Sequence, residues 1–247
     1  MLKFIILGII QGLTEFLPVS SSGHLAVLQR LFNMHGEEVA ISVVLHFGTL
    51  LAVIIFFFKD ILSLLRNIRM VYYVLIVTVI TGVIGVGGKK FFETLFTNPK
   101  AIAFAWIFTA IVLFLTKKFM GAQRKVLNPK DALILGFAQG FAIVPGISRS
   151  GITISTLLFR KLDRETAFKF SFIASLPVIM GAALLEAKEI GFAFQGKPLS
   201  LVVGFLSSLI AGLFALWLLQ WVIKKAKFYY FGFYCLIAAI LTLLFVK

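Results

Sequence analysis

The chain has 247 residues, of which 60% are hydrophobic and only 14% charged, with a mean hydropathy of +1.04. A soluble domain of this length cannot bury so much apolar surface, so the composition excludes a water-soluble globule and points to an all-α polytopic membrane protein. The formal net charge of +14 does not imply nucleic acid, because the basic residues sit in short clusters between apolar runs, such as Lys117-Lys118, Arg160-Lys161 and Lys224-Lys225, as membrane flanks do.

The N-terminus, Met1-Leu2-Lys3 followed by an apolar stretch, mimics a signal peptide. It has no small-residue cleavage site and runs straight into Gln11 and Glu15, so it is expected to be retained. Residues 2–33 form two apolar halves around a break at Pro18, Ser20, Ser21, Ser22 and Gly23. Neither half can span a bilayer, and broken backbone in lipid must be buried in protein or line a wet cavity, so the segment reads as a re-entrant helical hairpin. Three runs long enough to cross follow, at about 39–58, 70–87 and 101–116. Residues 131–159, broken at Pro145 and Gly146, read as a second re-entrant hairpin. Runs at about 166–185, 201–223 and 228–246 complete six transmembrane helices. Cys235, the single cysteine, lies inside the last run and has no partner for a disulfide.

The two hairpins repeat each other. Gly8, Gln11, Gly12, Ser20, Ser22 and Gly23 return as Gly136, Gln139, Gly140, Ser148, Ser150 and Gly151 at one offset of 128 residues, while Pro18 and Pro145 slip by one. Each unit, about 1–125 and 129–247, holds one hairpin and three spans. Three is odd, so the second unit enters the membrane from the opposite side. An inverted-topology duplication within a single membrane domain is expected, with a site at the repeat interface near the midplane. Fourteen of the 24 Lys and Arg residues fall on one face and eight on the other, with Arg149 and Lys169 set aside. The positive-inside rule places the fourteen in the cytoplasm, so both termini and the mouth of the first hairpin face outward.

Ionisable groups at membrane depth are costly and therefore functional candidates. Glu15 is the only acidic residue well inside an apolar segment, and Gln11 is one helical turn before it on the same face. His24 follows the first tip and could act as nucleophile, base or proton donor. Arg149, the counterpart of Ser21, needs a carboxylate or phosphate partner, and phosphate is the expected one. Ser20 and Ser148 are good N-caps for the returning half-helices, whose N-termini would point at the membrane interior. If the tips meet, they form an anion cradle, to which Ser21, Ser22 and Ser150 add hydroxyls while Gly23 and Gly151 allow close approach. Together these features describe a buried site for a phosphorylated, membrane-embedded substrate. Glu15, with Gln11 as a weaker ligand, can help hold a divalent metal. The nucleophile is Ser21, His24 or an activated water. His46 and Gln139 are candidate cavity residues, whereas His35, Cys235 and the tryptophans read as structural or interfacial.

The run from Gln11 through Glu15, Pro18, Ser20, Ser21, Ser22 and Gly23 to His24, and the run Pro145-Gly146-Ile147-Ser148-Arg149-Ser150-Gly151, resemble the two signature motifs of bacterial undecaprenyl-diphosphate phosphatases. The resemblance covers essentially the whole chain. It implies a cytoplasmic-membrane enzyme that removes the terminal phosphate of a C55 isoprenyl diphosphate and recycles the lipid carrier for peptidoglycan synthesis. Activity in such a family bears on bacitracin resistance. By resemblance the serine and histidine match Ser21 and His24, the arginine matches Arg149, the cofactor is Mg2+ or Ca2+, and the site opens outward. Gln11 is the amide variant of the motif's first acidic position. The expected partners are the polyprenyl diphosphate and membrane lipids, with a homodimer admitted. A transporter or flippase for the same lipid or another anion is the main rival, since inverted repeats with broken helices also mark transporters. The asymmetry between the repeats, acid and histidine in one and arginine in the other, favours an enzyme. A purely structural subunit would hardly place these groups in lipid.

Overall fold

The computed structural model describes residues 1–31, 38–190 and 198–246; His35 lies outside them. The elements are helices α1 (Leu2–Phe16), α2 (Ser21–Leu31), α3 (Glu38–Phe56), α4 (Phe58–Leu65), α5 (Ile68–Phe96), α6 (Pro99–Leu115), α7 (Pro129–Phe141), α8 (Arg149–Phe159), α9 (Arg164–Ile190), α10 (Pro198–Lys224) and α11 (Phe231–Phe245). Short 3-10 turns at Thr116–Phe119 and Phe228–Tyr230 lead out of α6 and into α11. No strand occurs among the described residues.

Asparagines set several helix starts. Asn67, Asn98 and Asn128 accept backbone N–H bonds at the heads of α5, α6 and α7, and Asn128 forms a reciprocal capping box with Asp131. Each satisfies donors that the first helical turn leaves open. Five helices (α5, α6, α9, α10 and α11) are long and apolar enough to cross a membrane, and α3 continued by α4 would make a sixth. That continuation is bent by 73°, at the end of the expected run over about 39–58, which α3 covers as far as Phe56. The bend falls at Phe57, a fully buried side chain stacked on Phe172 and packed against Phe168. Anchoring this ring in the core turns the chain, so Phe58 begins a new helix in which no residue is buried. The 29-residue α5 also outruns its expected end by continuing through Lys89 and Lys90 to Phe96.

The α1–α2 and α7–α8 pairs are helical hairpins. The halves of the second, 13 and 11 residues, reach only about 20 and 16 Å at the helical rise, well short of a hydrocarbon core of ~30 Å. In lipid, helix association relies on close packing rather than on a hydrophobic drive, so small residues mark the contacts. A Cβ on Gly8 or Gly12 would lie 2.5 Å from the carbonyl oxygen of Gly204 or Ser208, so α1 rests directly on the backbone of α10. Gly136 and Gly140 of α7 receive Ile80 and Ile84 of α5 in the corresponding way. Helix α3 packs against both α9 and α10, and α6 against α11. Outward-facing Val79, Val83, Ile210, Phe214, Ile237 and Ile240 leave a broad apolar surface for lipid.

Candidate active site

The two hairpin tips meet. Ser20 Oγ accepts the N–H of Gly23 in its own hairpin (3.3 Å) and that of Gly146 in the other (3.1 Å). Ser148 Oγ accepts from Gly151 N (3.1 Å) and caps α8, while Ser150 Oγ donates back to the Leu17 carbonyl (3.3 Å). Helix α6 holds both tips. Trp106 Nε1 donates to the Val19 carbonyl (2.8 Å), and Thr109 Oγ1 lies 3.1 Å from the Gly146 carbonyl and accepts from Ser148 N (3.2 Å). Gly146 is required here: its φ is +92°, and a Cβ would run into the Ile102 carbonyl.

Glu15, on the last turn of α1, is the centre of this arrangement, with its side chain almost wholly buried. Arg149, from the first turn of α8, pairs with Oε1. Oε2 accepts from the Ser21 hydroxyl (2.5 Å) and from Gln11 Nε2 (3.0 Å). A carboxylate at this depth is sustained by such partners. His46 places Nε2 3.9 Å from Oε2, with Nδ1 fixed 2.8 Å from the Ser42 carbonyl.

A cavity of about 180 Å³ opens beside this cluster. Of the residues singled out in the sequence, Glu15, Ser20, Ser21, Ser22, His46, Gln139, Ser148 and Arg149 line it. Gln11, His24, Ser150 and Gly151 do not. Gln11 is buried behind Glu15, Gly151 packs on Pro18 beneath the tips, and Ser150 borders a smaller adjoining cavity with Glu15 and Arg149. His24 turns the other way: Nδ1 lies 2.8 Å from the Ser20 carbonyl, Nε2 lies 2.8 Å from the Tyr234 hydroxyl, and the ring meets Trp106 edge-on. Sequence reasoning missed Thr81, which bonds Gln139 in the cavity wall, and the apolar face of Val178, Ile179, Ala182 and Ala183 on α9. A polar residue inside the apolar 70–87 run was the available signal for Thr81; the α9 face carried none, being ordinary span sequence.

The donor set accommodates a divalent metal only in part. Among the described residues Glu15 is the one carboxylate lining the cavity, and no group of three or more His, Cys, Asp or Glu side chains forms a cage. Gln11 Oε1 is buried without a hydrogen-bond partner and is a spare oxygen next to Glu15. One carboxylate plus substrate phosphate oxygens and waters is a normal Mg2+ environment, so the residues fit a metal that shares its ligands with a diphosphate.

The protein family described as "Bacitracin resistance protein BacA" matches residues 4–241. The undecaprenyl-diphosphatase of Halothermothrix orenii is 39% identical over 251 residues, covering 98% of this chain and 96% of its own length. The corresponding protein of Carboxydothermus hydrogenoformans is 38% identical over 249 residues, covering 97% and 95%. That of Thermotoga petrophila is 41% identical over 244 residues, covering 97% and 98%. With a family match over nearly its whole length and relatives this similar end to end, the chain belongs to the BacA family.

Proposed function

We propose that this protein is a membrane phosphatase that hydrolyses undecaprenyl diphosphate to undecaprenyl phosphate and inorganic phosphate, the activity named for its relatives. The observation that carries the reading is the triplet of Ser21, Glu15 and Arg149, with a buried carboxylate between two partly exposed partners, built from both hairpin tips beside one cavity. Arg149 and the N-terminus of α8 bind the terminal phosphoryl oxygens. The apolar α9 face takes the first isoprene units. Glu15 removes the Ser21 proton as Oγ bonds to the terminal phosphorus. The bridging P–O bond breaks, and undecaprenyl phosphate departs with the bridging oxygen and the proton from Glu15. A water, deprotonated by Glu15, then displaces the phosphoryl group from Ser21, which recovers its proton from Glu15. Mg2+ or Ca2+, held by Glu15 with Gln11 nearby, would supply neutralising charge for the diphosphate. His24 acts from outside the cavity, bracing the Ser20–Ser21 tip.

The hairpins are re-entrant and the two units are related by an inverted-topology duplication. Helix α1 packs on α10 as α7 packs on α5, and α3 meets α10 as α9 meets α5, which is the exchange such a duplication requires. The protein sits in the bacterial cytoplasmic membrane with its site open to the outer side, where the basic-residue bias puts the mouth of the first hairpin. A transporter has no use for a serine hydroxyl held on a buried carboxylate, so hydrolysis is preferred.

The test is phosphate release from undecaprenyl diphosphate by detergent-purified protein, with and without Mg2+ or Ca2+, alongside Glu15→Ala and Arg149→Ala. Metal-dependent release that both variants abolish is expected. A folded wild type that binds the lipid diphosphate but releases no phosphate would overturn the reading.

A further inference from the structure

Away from the tips, a second cavity of about 670 Å³ sits where the loop after α6 meets the end of α8. Lys118, Arg124, Arg160 and Lys161 line it, and among the described residues no acidic side chain does. Asp131, which is fully buried, is paired with both arginines.

The cations differ in how they are used. Arg124 is a fixed strut: its terminal nitrogens donate to both oxygens of Asp131 (2.7 and 2.9 Å) and to the Val126 and Arg160 carbonyls (2.7 Å each). Arg160 gives only Nε to Asp131 (2.9 Å). Among the described residues no acceptor meets its two terminal nitrogens or the ammonium groups of Lys118 and Lys161. Lys161 also occupies an unusual position. The Lys161 and Leu162 N–H groups bond back to the Leu158 and Leu157 carbonyls, closing α8 with a Schellman motif whose left-handed residue, φ 64°, is this lysine. Glycine ordinarily fills that place without strain. Phe119 and Phe159, in edge contact at 5.1 Å, form the apolar side, and Leu115, one turn before Phe119, is exposed.

We propose that this cavity binds the phosphate headgroup of an anionic phospholipid. Unpaired fork and ammonium donors match a phosphate. The adjoining phenylalanines and exposed Leu115 continue into the lipid-facing surface, which a soluble anion would not require. Basic pockets on the positively charged membrane face are where such headgroups are held. Helix α8 carries Arg160 at this end and Arg149 at the other, so a lipid bound here braces the hairpin that presents Arg149 to the substrate. The inference does not depend on which reaction the upper cavity performs.

The test is native mass spectrometry of purified protein exposed in detergent to equal amounts of phosphatidylglycerol and phosphatidylcholine. The wild type is expected to retain phosphatidylglycerol about tenfold better, and Lys118→Gln/Lys161→Gln to fall to near parity while matching the wild type in phosphate release in lipid-free detergent, where neither carries the lipid. Lys224→Gln/Lys225→Gln, which removes two basic residues outside the cavity, should keep the preference. If the double variant misfolds, Lys118→Gln alone must weaken the preference. Equal retention by the wild type, or equal loss in the Lys224/Lys225 control, would overturn the proposal. Displacement of phosphatidylglycerol by millimolar inorganic phosphate would overturn it too, assigning the cavity to a soluble anion.

Discussion

The hydroxyl of Tyr234 on α11 lies 2.8 Å from Nε2 of His24, 210 residues away in sequence. Because Nδ1 faces the Ser20 carbonyl at 2.8 Å, and a carbonyl can only accept, the hydrogen is on Nδ1 and Nε2 accepts from the tyrosine. Both ring nitrogens are thus engaged outside the cavity, and the imidazole holds the backbone of the first tip. Tyr234→Phe should lower kcat severalfold, since it frees only one side of the ring. His24→Ala should cost about 100-fold, the scale of a small misplacement of a reacting group. Phosphate-release kinetics check both. A Tyr234→Phe loss as large as that of His24→Ala would mean that the tyrosine itself takes part in the chemistry.

Ser21 and Glu15 act as a unit if the hydroxyl is the nucleophile. Ser21→Ala and Glu15→Gln should each reduce kcat by about a thousandfold, and the double variant should be little worse than either, because parts of one machine are not additive. Brief incubation with diphosphate labelled in its terminal phosphate should leave label on the wild type and none on Ser21→Ala. Full activity of Ser21→Ala would transfer the attack to water.

Chelation bears on the metal. Activity should disappear in excess EDTA and return with Mg2+ or Ca2+. Glu15→Gln should bind added Mn2+ more weakly by electron paramagnetic resonance in the presence of a non-hydrolysable diphosphate lipid. Unchanged Mn2+ binding by that variant would move the metal away from Glu15.

Two glycines to alanine should move stability in opposite directions. At Gly12 the new methyl meets the Ser208 carbonyl and the Ala211 side chain, and the strain should cost about 1–3 kcal/mol. At Gly82, inside α5, nothing lies within 4 Å of the added carbon, so Gly82→Ala should gain about 0.5–1 kcal/mol from reduced backbone freedom. Thermal unfolding in one detergent, followed by tryptophan fluorescence, compares them directly; a stabilising Gly12→Ala would show that α1 and α10 can separate at little cost.

Much of this was legible in the sequence because lipid allows few alternatives. Broken apolar segments had to be buried, so their serines, prolines and glycines announced the tips, and Glu15 stood out as an acid at depth. Pairwise geometry was less legible. Nothing local in His24 says that its ring turns toward Tyr234, and its nearness in sequence to Ser21 suggested a place in the cavity. The 73° bend at Phe57 has no proline or glycine to signal it; it arises from distant Phe168 and Phe172. Thr81 and Thr109 read as isolated hydroxyls in spans until the fold brought Gln139 and Ser148 to them.

Trp106 and Thr109 are three residues apart on α6, and each is tied to a different tip. That single helical turn acts as a ruler for the distance between the two tips. A shift of α6 along its axis would carry both tips the same way, and so would a rotation, because residues three apart lie on one face of a helix. The separation of the two tips is therefore fixed by the pitch of a neighbouring helix, and a substitution on the far side of α6, where it packs on α11, would move both tips together.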